Sequence, residues 1–255
     1  MTAEQSADVT ARRHHWTAAA GATALLAVVG GSGLALAWES GPPNPYLLGA
    51  LVGFAVVVTT TWRAFQLART EVGPERITAA TWVTIARGGA LVLLTGFLFV
   101  PSPDGLVTWV PGILFALAAA VDAADGAIAR WLDCESKRGE RLDVEIDSLT
   151  VLVGAVLAVR YGVAPVIFVV VGVARYAFVA GIKYRRRRGR NVYDLDPSDL
   201  RRALGGAAMV VICLALLPVP GVSLSRLLAW IVLVPFLVNF TRDWLVVSGR
   251  LDGAQ

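Results

Sequence analysis

The chemistry in this sequence centres on four aspartates. Asp122 and Asp125 stand three residues apart, and Asp143 and Asp147 four apart. Both spacings put a pair on one face of a helix. Both pairs adjoin apolar runs, and an ionised side chain at the centre of a membrane helix costs about 2.5 to 3.5 kcal/mol. Two adjacent antiparallel helices would turn four carboxylates toward one another, and these cannot all stay ionised without counter-charge. Hard divalent cations supply that charge. Oxygen-only ligation suits Mg²⁺ or Mn²⁺, and no histidine joins the aspartates to suggest zinc. Four carboxylates can hold two ions, an arrangement suited to phosphoryl chemistry in which substrate phosphates complete the coordination.

The small residues around them matter too. Gly126 and Ala129 follow the first pair and Gly139 precedes the second. They leave backbone open to a bulky ligand, or else permit close helix packing. Arg130 offers a planar fork to a phosphate or carboxylate.

The elements that position these residues are membrane helices. Of 255 residues, 56% are hydrophobic and 16% charged, against about a quarter charged in soluble domains. That excludes disordered and fibrous chains. Cys134 and Cys213 occupy different settings, so no disulfide framework is expected. Runs of about 17 to 25 apolar residues mark bilayer-crossing helices. Eight are predicted, over 16–37, 45–65, 78–100, 107–130, 142–159, 163–184, 204–219 and 224–246. Tryptophans near their ends (Trp16, Trp38, Trp62, Trp109, Trp131, Trp244) fit an interfacial belt. The first run is too long for a signal-peptide core. Lysine and arginine crowd the N-terminus and alternate loops, including Lys137, Arg138 and Arg185 to Arg188, whereas the opposite loops hold only Arg160 and Arg226. This asymmetry places both termini and the aspartate cluster on the cytoplasmic side of the cell membrane. It also accounts for the pI of about 9.4 without nucleic acid.

The pattern Asp122-x2-Asp125-Gly126-x2-Ala129-Arg130-x8-Gly139-x3-Asp143-x3-Asp147 resembles the signature of the CDP-alcohol phosphotransferases, with all eight signature residues at the expected gaps. The resemblance implies an all-α integral membrane enzyme. Its six-helix catalytic core would occupy 77–247, after a cytoplasmic tail (1–15) and an additional transmembrane hairpin with its linker (16–76), and before a short C-terminal tail (248–255). Such an enzyme transfers a substituted phosphoryl group from a CDP-linked alcohol to a second alcohol and releases CMP. By resemblance, Asp122, Asp125, Asp143 and Asp147 hold two Mg²⁺ or Mn²⁺ ions, and Asp147 also takes the proton of the acceptor hydroxyl. Gly126, Ala129, Arg130 and Gly139 would form the CDP-donor site. Thr81-x2-Thr84-x2-Arg87 is similar to the Asn-x2-Thr-x2-Arg that opens the family's first core helix, which adds Thr84 and Arg87 to the donor site. Threonine at 81 departs from the usual asparagine. The resemblance also implies a homodimer.

For the acceptor phosphate, Arg175 inside the sixth run, Lys183 at its end and Arg201 opening the seventh are the candidates; such a charge within a span needs a partner. The basic run at 185–190 reads instead as an orienting, headgroup-facing cluster. His14 and His15 belong to the basic tail, and Ser198 or Asp199 is expected to cap the next helix. The expected reaction moves a phosphatidyl-type group from CDP-diacylglycerol or CDP-archaeol to a small polar alcohol, such as glycerol 3-phosphate or an inositol phosphate. Two other readings stay open: a CDP-headgroup donor with a lipid alcohol as acceptor, and a cation transporter that uses its intramembrane aspartates. A transporter would more naturally site its carboxylates at mid-membrane on interrupted helices.

Overall fold

The structure is a computed structural model that describes residues 3–38, 41–67, 78–120 and 137–251. Every regular element among them is helical: α1 (Ala3–Ala37), α2 (Asn44–Leu67), α3 (Ala79–Gly96), α4 (Gly105–Ala120, opening as a 3₁₀ turn), α5 (Lys137–Arg160), α6 (Val169–Arg187), α7 (Asp199–Leu216) and α8 (Gly221–Val247). Five described segments, centred on α1, α2, α3, α6 and α8, are long and apolar enough to cross a membrane. α4 is described for too short a stretch, the first turns of α5 carry seven charged residues from Lys137 to Asp147, and α7 opens on Asp199, Arg201 and Arg202. The protein is thus an all-α membrane protein, as the composition requires. The sixth helix starts later than its apolar run. Gly162 adopts φ +71° and Pro165 is extended, so residues 161–165 form a turn and a 3₁₀ segment precedes α6.

The chain divides into two compact units, Met1–Val153 and Gly154–Gln255. In the first, α3 is the inner helix: 67% of its apolar span is buried, against 17% in α1 and 28% in α2. Both hairpin helices pack directly on it. Small residues make this possible, because without an aqueous driving force membrane helices associate through close van der Waals contact. A Cβ at Gly53 would lie 2.8 Å from Thr95 Cβ, and one at Gly49 would collide with the Phe99 ring while lying 3.0 Å from Gly96 Cα. Further along, Trp38, Tyr46 and Phe97 form an aromatic cluster with centroids 5.0 to 5.9 Å apart, and Tyr46 Oη donates to Leu93 O at 3.0 Å. Gly49→Ala is therefore expected to destabilise the fold by about 1–3 kcal/mol, the usual cost of overpacking. Thermal unfolding in detergent, against Gly33→Ala, where a Cβ meets nothing within 4 Å, measures it.

In the second unit, α8 packs on α6 and α7. Phe178 meets Phe240 and Trp244 edge-on at 5.8 and 5.7 Å. Gly181 admits the Trp244 ring, which any Cβ there would strike. The loop before α7 is fastened by Arg185, which donates to Asn191 O and Ser248 O, each at 3.0 Å from Nη2. Ser198 caps α7 by accepting from Arg201 N at 3.3 Å.

Candidate active site

α3 begins with a threonine cap. Thr78 Oγ1 accepts from Thr81 N at 3.3 Å and shares a hydrogen bond with Thr81 Oγ1 at 3.0 Å. The residue that departs from the family's asparagine thus serves the helix start. Thr84 and Arg87 follow on the same helix, both buried, and Arg87 is the largest fully buried side chain of the described residues. A guanidinium removed from water needs anionic partners. Arg87 Nη1 donates to Asp143 Oδ1 at 2.6 Å and Nη2 donates to Asp147 Oδ1 at 3.3 Å. The 3.6-residue period puts the two aspartates on one face of α5, with Leu142 and Ile146 buried beside them. The carboxylates stay 38% and 32% exposed. Glu145, two residues from each, lies on another face of α5.

Two partly open carboxylates one helical turn apart, both accepting from Arg87, are a donor set suited to a hard divalent cation. Among the described residues no three His, Cys, Asp or Glu side chains gather as a metal-sized cluster. Asp122 and Asp125 lie outside the described residues, as do Gly126, Ala129 and Arg130. Gly139 lies in the first turn of α5. Arg87, assigned by resemblance to the donor site, faces the aspartates.

The three acceptor candidates separate. Arg175 and Arg201 line one cavity of about 360 Å³ together with Phe178, Phe236, Phe240, Asn239 and Asp243. Lys183 is exposed on α6 and is not among the lining residues. Arg201 Nε donates to Asp243 Oδ2 at 2.8 Å and Nη2 to Asp243 Oδ1 at 3.3 Å. Asn239 Nδ2 donates to the same carboxylate at 3.1 Å. Asp243 and Asn239 are functional candidates that the sequence analysis passed over. The signal was present: an acid inside an apolar span, with an amide one turn before it, calls for a partner.

A family model described as CDP-alcohol phosphatidyltransferase matches residues 77–239. No curated protein and no solved structure matches the chain. The matched stretch starts just before the α3 cap, includes both aspartate pairs and ends within α8, leaving α1 and α2 ahead of it. Covering well over half of the sequence, the match makes this chain a member of the CDP-alcohol phosphatidyltransferase family, membrane transferases that move a phosphatidyl-type group from a CDP-alcohol to a second alcohol.

Proposed function

We propose that the protein transfers a phosphatidyl-type group from a CDP-linked lipid, CDP-diacylglycerol or CDP-archaeol, to a small polar alcohol that carries a phosphate, releasing CMP. The observation that carries the reading is the Asp143–Asp147 pair, turned partly to solvent and held by a buried arginine. The family is generally divalent-metal dependent. Asp122, Asp125, Asp143 and Asp147 would hold two Mg²⁺ or Mn²⁺ ions, which when bound would polarise the phosphoryl oxygens and offset charge on the departing CMP. Asp147 takes the proton of the acceptor hydroxyl as its oxygen attacks phosphorus. Gly126, Ala129, Arg130, Gly139 and Thr84 bind the donor nucleotide. Arg175 and Arg201 receive the acceptor's phosphate in the cavity lined by Phe178 and Phe240. Three of the five Arg201 N–H groups go to Asp243 and to Asp196 O, which fixes the guanidinium plane and keeps two donors for an anion. The basic loops support a cytoplasmic site in the cell membrane, with both termini on that side; a homodimer is proposed on family resemblance alone.

Mass spectrometry of lipid products after incubation with either CDP-lipid and a panel of acceptors tests the reaction. A phosphorylated acceptor is expected to give the new lipid and stoichiometric CMP. No CMP with any acceptor, together with cation flux in vesicles, would overturn the enzyme reading. Treatment with EDTA is expected to abolish CMP release, and Mg²⁺ or Mn²⁺, but not K⁺, to restore it.

A further inference from the structure

Arg87 stands behind the two carboxylates rather than between them and solvent. Its side chain is 1% exposed, while Asp143 and Asp147 remain 38% and 32% exposed. A ligand approaching from the open side meets the carboxylates and not the guanidinium. One planar fork, with its two ends on separate carboxylates a helical turn apart, ties both to the same rigid group. Such outer partners orient metal ligands, and losing them typically costs about 10–100-fold in metal affinity.

The packing around Arg87 reaches outside the matched domain. The next two residues on α3 are glycines, and each meets a hairpin helix. A Cβ at Gly88 would lie 3.0 Å from Val57 Cγ1 on α2 and 3.8 Å from Ile146 Cδ1, which sits between the two aspartates on α5. A Cβ at Gly89 would lie 2.9 Å from Leu26 Cβ on α1. Beside the arginine, the backbone of α3 is therefore in direct contact with both hairpin helices, and interiors packed this closely pass on displacements instead of absorbing them.

We infer that Arg87 is a positioning residue for the divalent-metal site and that the N-terminal hairpin, through Val57 and Leu26, holds it at the depth where it grips Asp143 and Asp147 together. The hairpin is then a working part of the metal site, though it precedes the family domain and supplies no ligand. The inference rests on the reading of Asp143 and Asp147 as metal ligands.

Mn²⁺ binding to the purified full chain in detergent, without substrate, tests it by calorimetry or electron paramagnetic resonance. Arg87→Lys keeps the charge but offers a point donor in place of the two-ended fork, so it separates geometry from electrostatics. Mn²⁺ is expected to bind this variant about 10–100-fold more weakly. Gly88→Ala should weaken binding in the same direction without touching a carboxylate, and adding Val57→Ala, which removes the opposing methyls, should restore it. Unchanged Mn²⁺ affinity in Arg87→Lys overturns the positioning role. A loss in Gly88→Ala that Val57→Ala leaves uncorrected overturns the part given to the hairpin. Absence of Mn²⁺ binding to the unaltered protein would instead sink the metal-site reading, and this inference with it.

Discussion

Asp147→Asn is expected to lower metal-dependent CMP release by about 10²–10⁴-fold, the range associated with a positioned general base, while CDP-lipid binding changes little. Asparagine keeps the size of the side chain and an oxygen for Arg87 Nη2, which now lies 3.3 Å from Asp147 Oδ1. It cannot take a proton from an alcohol. The helix should survive, because its anchors here are the buried Leu142 and Ile146. Single-turnover CMP release and equilibrium binding of the CDP-lipid, measured on the same preparation, separate the two effects. Turnover near that of the unaltered protein would show that another group accepts the proton. Because Asp147 is also a proposed metal ligand, the assay belongs at saturating Mg²⁺ or Mn²⁺, where weakened metal affinity alone is compensated.

Asp243→Ala is expected to raise KM for a phosphorylated acceptor by about 10–100-fold, equivalent to losing a hydrogen-bonded contact to a charged group, with little change in KM for the CDP-lipid. Asp243 is 12% exposed at its side chain and engages both Arg201 and Asn239. Without it, the Arg201 guanidinium loses the partner that sets its plane, and Asn239 loses its acceptor. The stability cost should stay near 1–2 kcal/mol. Breaking a fully buried pair costs about 3–5 kcal/mol, but Arg201 is 39% exposed and water screens what remains. Acceptor and donor titrations at fixed metal give the two KM values. Equal changes in both would assign Asp243 a structural role and remove the cavity lined by Phe178 and Phe240 from the acceptor site. Arg201→Lys, which retains charge without the fork, should reproduce the acceptor defect in milder form.

Much of this protein is legible in one dimension, for a physical reason. The bilayer imposes a length of about 20 apolar residues on each span, so α1, α2 and α3 and their order follow from hydropathy. The helical period then assigns Asp143 and Asp147 to one face without knowledge of the fold. Where local reading fell short, a turn residue usually explains it. Val163 opens an apolar run, yet Gly162 and Pro165 delay α6 to Val169. Thr81 stands where asparagine is usual, and the hydrogen bond it shares with Thr78 shows what its hydroxyl does for the start of α3.

Residue types and spacing alone indicated the membrane class and placed Asp143 and Asp147 on one helix face, and the signature they belong to resembled the family that the domain match shows. Tertiary structure alone decided which charges meet. Arg87 reaches Asp143 and Asp147 across 56 and 60 residues, and Arg201 reaches Asp243 across 42. No local period encodes such pairings. They depend on which helices come side by side, and here glycines set how closely, since only a residue without a side chain lets α3 touch Val57 and Leu26.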